Sequence, residues 1–183
     1  FPDVLIVTDC AIVASSRTSA RPQLGEDARI NPTWHIIVND REATVTGAAD
    51  DPLIFALRNE LGLVATRLGC GLEQCGACRI RLDDELTWAC TTTLDAASGR
   101  HVTTLEGLQH DSLMDALRHA FAARNAAQCG YCATGVLMAA YALLDSRRGW
   151  TRDELSVALD TQLCRCGSQH RMLEAILAVD ADG

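Results

Sequence analysis

Hydrophobic and polar residues alternate in two short segments of the chain, residues 34–46 and residues 79–88. Each segment is interrupted by two residues that favour a turn, at positions 39–40 in the first and 83–84 in the second. Since alternate side chains of a strand lie on one face of the sheet, each segment predicts a β-hairpin.

A helical pattern lies between the two hairpins, in residues 51–62. Asp51 is the expected N-cap, Pro52 the expected first helical residue and Gly62 the expected end of the helix. The apolar residues that repeat every four positions in this segment are Leu53, Leu57 and Leu61.

The C-terminal part predicts four helices, because its apolar residues recur at helical spacing. The third of these helices is expected to begin at Thr151 with a capping box to Glu154, and Gly149 is expected to close the second. The residues that define the four faces are Leu113, Leu117 and Phe121; Leu137, Tyr141 and Leu144; Leu155 and Leu159; and Leu173, Ile176 and Leu177.

The change from strands to helices near residues 105–109 divides the chain. We predict an N-terminal arm or extension at 1–32, a strand-rich domain at 33–107 and a helical domain at 108–183. The arm contains a polar stretch, residues 15–32, that bears Pro and Gly without sustained periodicity.

Composition excludes several classes of protein. The hydrophobic fraction of 48% and charged fraction of 22% are typical of a soluble globular protein. No run approaches the roughly 18 apolar residues of a membrane helix, so no membrane span is expected. The net charge of -8 argues against nucleic acid as a partner.

The nine cysteines are the unusual feature of the composition. Eight of them could form four disulfides in a secreted protein or two four-thiolate metal sites in a reducing compartment. The N-terminal apolar run has no basic segment before it and is interrupted by Asp9, so it does not predict a secretory signal. A cytoplasmic location is therefore expected.

The first cysteine group has the spacing C-x4-C-x2-C, and a fourth cysteine follows after eleven intervening residues. This is the plant-type spacing of a [2Fe-2S] cluster, and we favour it over a zinc knuckle or a disulfide knot. Glycines at 69, 71 and 76 suit a loop that folds back and brings backbone N–H groups to the sulfurs. The four residues are Cys70, Cys75, Cys78 and Cys90.

The second cysteine group consists of a C-x2-C pair and a C-x-C pair with 31 residues between them. Each pair falls in a break between predicted helices, and adjacent helix ends in a bundle can bring such loops together. On spacing alone, zinc and an iron–sulfur cluster are equally good interpretations. The four residues are Cys129, Cys132, Cys164 and Cys166.

The two groups together, in this order, resemble the iron–sulfur subunit of the molybdenum hydroxylases, also called the xanthine oxidase family. The family pattern is a GCG…CGAC loop followed by TxEGL, QCGYC and LCRCG. Residues 69–78, 104–108, 128–132 and 163–167 match it, and the resemblance covers residues 34–180.

The resemblance implies an α+β fold, with an N-terminal β-grasp, plant-type [2Fe-2S] ferredoxin-like domain and a C-terminal four-helix [2Fe-2S]-binding domain. It implies two [2Fe-2S] clusters: the second cysteine group would hold an inner cluster beside molybdopterin, and the first an outer cluster. By the same resemblance Gln128 would contact the pterin, although a helix-end cap is an alternative role for it.

Within the family, the segments CGLEQCGAC and CRCGSQHRML resemble the small subunits of bacterial nicotinate and isoquinoline dehydrogenases. Glu73 departs from the pattern, because many relatives have glycine there, and this puts the path of the loop in question. Asp40 and Asp84 replace common turn glycines, which is a milder change.

The resemblance implies that this chain is the electron-transfer subunit of an oxidoreductase and carries no catalytic residue. A large molybdopterin-binding subunit would be its partner and would make contact around Gln128 and Cys164. A subunit with FAD or haem, or a cytochrome, is a candidate next acceptor. An N-heteroaromatic, nicotinate-like substrate is expected, with an aldehyde as the alternative.

Two functions of other kinds compete with this interpretation. A free-standing ferredoxin would need only the first cysteine group, and a zinc-stapled interaction module would need no iron. We do not expect Cys10 or the histidines to be metal ligands, because eight cysteines already fill two clusters. The histidines are His35, His101, His110, His119 and His170.

Overall fold

The computed structural model describes residues 32–181. The predicted arm therefore lies outside the described residues, apart from Pro32, and Cys10 lies outside them as well. Within residues 32–181 no helix has the length and apolar character needed to cross a membrane.

Five strands form one sheet, and both predicted hairpins are confirmed. Strand β1 (Thr33–Val38) pairs antiparallel with β2 (Arg41–Thr46), and β3 (Arg79–Leu82) pairs antiparallel with β4 (Glu85–Trp88). A strand that the sequence did not predict, β5 (His101–Thr103), lies between them, parallel to β1 and antiparallel to β3. The order is β2-β1-β5-β3-β4.

Both hairpin turns consist of two residues with positive φ, between 47° and 71°. Tight turns of this kind match the twist of the strands, and Asn and Asp tolerate the conformation, so aspartates serve at positions 40 and 84. The second turn is also tied to β5. The Asp83 carboxylate accepts hydrogen bonds from Arg100 Nε at 2.6 Å and from the His101 N–H at 2.8 Å.

The predicted helix between the hairpins is present, but it changes its winding. It begins as α1 (Leu53–Phe55) and continues as a π-helical turn (Ala56–Glu60). Gly62, with a φ of 69°, follows the last turn as expected. Leu53 and Leu57 are fully buried, and Leu61 is half-buried.

The predicted start of that helix is wrong by one residue. Pro52 occupies the N-cap position with an extended ψ of 129°, and it pairs with Thr93 in an isolated bridge. Asp51 does not cap the helix; its carboxylate accepts a hydrogen bond from the Ala48 N–H at 2.8 Å and closes the preceding turn.

Two short elements connect the sheet to the rest of the chain. They are α2 (Leu94–Ala97) and a 3-10 turn (Leu105–Leu108). The Thr93 hydroxyl caps α2 by accepting from the Ala96 N–H.

The four predicted C-terminal helices are confirmed. They are α3 (Ser112–Ala123), α4 (Ala133–Ser146), α5 (Arg152–Ala158) and α6 (Gln169–Ala181). The predicted capping box is present at the start of α5, since Thr151 and Glu154 each accept from the other's backbone N–H.

Some details of these helices differ from the prediction. Helix α4 ends at Ser146, so Gly149 does not close it. Gly149 lies in the segment between α4 and α5 and donates its N–H to the Asp180 carboxylate. The buried faces of α3 and α6 are also rotated slightly, because packing and not spacing selects the inner residue. Met114 is buried where Leu113 is half-buried, and Met172 and Ala175 are buried where Leu173 and Leu177 are half-buried.

Buried apolar residues form two clusters. One combines the sheet, α1 and α2, from Ile36 to Val102, and the other combines the four C-terminal helices, from Leu108 to Val179. Helix α4 packs across β3 and β4, and Leu86 of β4 joins the helical cluster. The domain limits at 33–107 and 108–183 stay a prediction.

Candidate metal centres

The first cysteine group, here called the outer thiol set, lies on the segments that flank the hairpin of β3 and β4. Three members lie on the loop that precedes β3, and Cys90 follows β4. The sulfurs come in two pairs within hydrogen-bonding reach, Cys70 with Cys75 and Cys78 with Cys90. Cys70 is exposed, whereas Cys78 and Cys90 are buried.

Backbone N–H groups point at the exposed pair. The N–H groups of Leu72 and Gln74 lie 3.3 Å and 3.2 Å from Cys70 Sγ, and the Cys70 N–H lies 3.3 Å from Cys75 Sγ. Burial acts to raise the pKa of Cys70, but these donors outweigh it and lower the pKa to about 7. The loop therefore favours a thiolate, the form that binds a metal.

Glycines make this loop possible. Gly71 and Gly76 have φ values of 69° and 71°, which most side chains disfavour. The absence of a side chain at Gly69 leaves room for the Cys75 sulfur, because a Cβ at position 69 would lie 2.5 Å from Cys75 Sγ.

Glu73 adopts the conformation that glycine would have, with a φ of 60°. Its carboxylate accepts a hydrogen bond from the Thr91 hydroxyl, and Thr91 directly follows Cys90. Glu73 thus ties the loop to the segment that supplies the fourth cysteine.

The buried pair of the outer set suits a cation. Burial, followed by the neighbouring Cys90 and Cys75 thiols, raises the pKa of Cys78 to about 12, although a hydrogen bond from the Cys90 N–H acts in the opposite direction. A bound metal holds coordinating thiols as thiolates, so two adjacent buried thiols fit a pair of iron ligands.

The second group, here called the inner thiol set, lies in two breaks between helices, as predicted. Cys129 and Cys132 precede α4, and Cys164 and Cys166 lie between α5 and α6. The sulfurs again form two pairs within hydrogen-bonding reach, Cys129 with Cys166 and Cys132 with Cys164.

The inner thiols have different environments. Burial, followed by the Cys164 thiol, raises the pKa of Cys132 to about 12. Around Cys164, burial is outweighed by N–H donors, first that of Ser168, and the pKa lies below the usual value. The Tyr131 N–H lowers the pKa of Cys129 in the same way.

The pairwise arrangement fits a two-iron cluster. In the described part of the chain, no three His, Cys, Asp or Glu side chains converge on a single point as ligands of one ion do. Each thiol set instead supplies two pairs, and a [2Fe-2S] cluster takes two ligands on each iron.

The two thiol sets are joined directly. The Leu163 N–H donates to the Cys75 carbonyl at 3.0 Å, so a ligand candidate of the outer set contacts the neighbour of Cys164. Gly76 lies between Gln162 and Gly135, which belong to the two segments that carry the inner thiols.

A cleft of about 350 Å³ separates the sets. It is mostly apolar, and its lining includes cysteines of both sets. Tyr131 and Leu163, both exposed, form part of its wall, and the Tyr131 hydroxyl donates to the Leu68 carbonyl.

Gln128 is exposed and precedes Cys129. Its side chain makes no hydrogen bond to any described residue, and Cys132 occupies the N-cap of α4, which leaves the helix-end cap role without support. The five histidines are all exposed.

Sequence reasoning missed two residues that contribute to the centres. Gly135 lies against the outer loop, and a glycine inside an otherwise helical pattern was a usable signal of close approach. Arg79, the first residue of β3, is buried between Trp88 and Thr161, and the sequence pattern contained no signal for this role.

Two family models match the chain. The model described as "2Fe-2S iron-sulfur cluster binding domain" matches residues 36–104. The model described as "[2Fe-2S] binding domain" matches residues 104–177.

The chain is also similar to characterised proteins. It is 40% identical over 144 residues to a nicotinate dehydrogenase subunit of Pseudomonas putida, and the match covers 79% of this chain and 92% of that protein. It is 38% identical over 143 residues to the alpha subunit of isoquinoline 1-oxidoreductase of Brevundimonas diminuta, with 76% and 92% covered.

A solved structure has the same fold. A chain of quinoline 2-oxidoreductase from Pseudomonas putida 86 superimposes with a TM-score of 0.77 at 30% identity. The match covers 83% of this chain and 95% of that chain.

Proposed function

The chain belongs to the iron–sulfur subunits of the molybdenum hydroxylases, the xanthine oxidase family, and from this premise we propose which residues relay its electrons and between which partners. The outer and inner thiol sets would each hold one [2Fe-2S] cluster. The observation that carries this proposal is that two sets of four paired thiols are joined by the hydrogen bond from Leu163 to Cys75.

Each cluster, when bound, supplies one-electron redox chemistry. The chain fixes the positions of the ligands and controls their surroundings. N–H donors at Leu72 and Gln74 stabilise negative charge on Cys70. Cys78 in the outer set and Cys164 in the inner set are buried and therefore shielded from water.

The inner set is the proposed entry point for electrons from a molybdopterin centre on a large partner subunit. Gln128 and Cys129 are both exposed, which suits contact with a cofactor on another chain, and Gln128 is the proposed pterin contact. The outer set would then pass electrons to an external acceptor or to a further subunit with FAD or haem.

The proposed substrate of the assembled enzyme is an N-heteroaromatic compound. The names of the relatives support this, because they refer to nicotinate, isoquinoline and quinoline. The free cysteines of the described chain suit a reducing compartment, and we propose the cytoplasm.

Metal analysis and EPR of the dithionite-reduced protein test the relay. We expect about four irons per chain and two distinct S = 1/2 signals, one for each [2Fe-2S] cluster. Zinc without a signal in the reduced state would contradict the proposal, and a chain that purifies with both clusters but never with a large molybdopterin subunit would contradict the partner.

Three serine variants assign the signals. Cys90→Ser should alter or abolish one signal, Cys166→Ser should alter or abolish the other, and each should leave its counterpart in place. Cys10→Ser is the matched control and should leave both signals unchanged.

A comparison of the turnover rates of the assembled enzyme with nicotinate-like heteroaromatic compounds and with aldehydes decides between the two substrate classes.

A further inference from the structure

Arg79 directly follows Cys78 and places a buried positive charge beside the outer thiol set. Only 7% of the residue is exposed. Its guanidinium lies 3.5 Å from the centre of the Trp88 ring, and Nη2 donates to Thr161 Oγ1 at 3.1 Å. Arg79 therefore reaches from the outer set towards the segment that carries Cys164.

No acidic side chain forms an ion pair with this guanidinium among residues 32–181, and the Glu73 carboxylate acts on it only from a distance. Arg79 forms no ion pair there, and its buried Nε has no hydrogen-bond partner. Arg81, two residues later on β3, is different: its guanidinium lies 3.1 Å from both the Asp84 and the Asp145 carboxylates. Two arginines on one strand thus differ in whether their charge is compensated.

The Arg79 guanidinium remains charged at neutral pH. Burial lowers its pKa, whereas Cys78 and, less strongly, Glu73 act in the opposite direction. Guanidinium groups do not lose their proton in proteins, so the lowered pKa does not remove the charge.

A buried charge acts over a longer distance than an exposed one, because solvent screens it less. Net charge near an iron–sulfur cluster is one of the factors that set its reduction potential. Reduction adds one negative charge, so a nearby uncompensated cation favours the reduced form. Cys78 of the outer set directly precedes Arg79, so the outer cluster is the one that this charge is expected to affect most.

We propose that Arg79 raises the reduction potential of the outer cluster and so directs electrons outward. One electron leaves the inner cluster, which is oxidised, and enters the outer cluster, which is reduced; no bond forms and no proton moves. Arg79 supplies a fixed positive charge near the outer cluster and does not itself carry electrons. This inference rests on the proposed relay.

An EPR-monitored redox titration of the assembled holoenzyme tests the role of Arg79. Arg79→Met keeps much of the stem and removes the charge, and it should lower the reduced-to-oxidised ratio of the outer cluster at a given potential about tenfold, which is about 59 mV for one electron. Arg79→Lys should stay close to the wild type, because it keeps the charge while it loses the planar stacking and hydrogen-bond geometry.

Arg81→Met removes the same charge from the same strand and is the matched control. It should produce a much smaller shift, since Arg81 lies two residues further along the chain from Cys78 and its partner carboxylates are 89% and 46% exposed to screening solvent. If Arg79→Met and Arg79→Lys shift the potential equally, Arg79 acts only through packing and the proposal is wrong. An unchanged potential in Arg79→Met also overturns it.

A second pair of variants decides the matter if Arg79→Met does not assemble. Thr161 is exposed, so a carboxylate at this position can pair with the guanidinium without burial of a new group. Thr161→Asp should lower the potential of the outer cluster, and Thr161→Asn should not; equal potentials would overturn the proposal. If the wild-type protein does not show both cluster signals, the proposed relay itself is wrong.

Discussion

At the scale of single residues, Gly135 shows how closely the two thiol sets approach each other. A Cβ at this position of α4 would overlap the Gly76 carbonyl oxygen and lie 3.0 Å from Ala77 Cα. Both are backbone atoms of the loop that carries Cys75 and Cys78, so no side chain can move aside. The absence of a side chain therefore sets the distance between α4 and the outer loop.

Gly135→Ala should destabilise the protein, although alanine favours a helix over glycine by about 1 kcal/mol. Forcing a methyl group into packed backbone typically costs about 1–3 kcal/mol, and we expect this cost to exceed the gain in helix propensity. The measurement is the apparent melting temperature of the holoprotein, together with the intensities of its two EPR signals.

Thr134→Ala is the matched control for this prediction. It gives the same helix a better helix-forming residue without adding an atom, and it removes a buried hydroxyl that has no partner among the described residues. We expect it to be neutral or stabilising. A Gly135→Ala variant that melts higher than the wild type would show that the close contact is not limiting.

The candidate ligands could be predicted from the sequence, because cluster ligands recur at fixed local spacing and the two groups were complete. Gly135 and Arg79 could not be predicted in the same way. Their roles depend on which distant segments they meet, Gly76 for one and Thr161 for the other, and local patterns do not contain that information.

At the scale of elements, hydrophobic periodicity predicted both hairpins and all four C-terminal helices. It did not predict β5, which has three residues and is held between β1 and β3 by pairing that is distant in sequence. It also did not predict the π-helical turn after α1, since the same leucine spacing suits a continuous α-helix. Short elements are fixed by their neighbours more than by their own residues.

Helix α5 depends on its capping box, because it has only seven residues. Thr151→Ala removes the hydroxyl that accepts from the Glu154 N–H and should cost about 1 kcal/mol of stability. The apparent melting temperature of the holoprotein measures this. Ser156→Ala, at an exposed position in the middle of the same helix, is the control and should have little effect.

The benefit of this box depends on pH in a defined direction. The Thr151 N–H, then the Thr151 hydroxyl and Arg147 hold the pKa of Glu154 below its usual value of 4.5. A carboxylate with a lowered pKa stabilises the fold above its unfolded-state pKa, and this stabilisation is lost as the pH falls through the lowered value. The difference between wild type and Thr151→Ala should therefore be largest near neutral pH and shrink below pH 4.5; a difference that grows on acidification would contradict this assignment.

At the scale of the whole molecule, the sheet and the helices hold the two thiol sets on either side of one apolar cleft. Exposed apolar residues line it or border it, and exposed apolar patches typically mark interaction sites. Leu163 is 64% exposed, yet its N–H makes the bond that joins the sets. We expect the proposed large subunit to cover this side of the molecule, because an exposed leucine between the two thiol sets favours an interface from which water is excluded.

Leu163→Asp should therefore weaken the association of this chain with the large subunit at least tenfold, because it places a charge where an apolar side chain is buried on assembly. Titration of this purified chain with its partner measures the change in Kd. Val157→Asp is the matched control: it introduces the same charge at a residue that is 77% exposed on α5 and lies outside the lining of the cleft. The backbone bond to Cys75 does not depend on the Leu163 side chain, so both cluster signals should persist in both variants. Equal loss of affinity in the two variants would mean that added charge alone weakens assembly and that the cleft is not the contact surface.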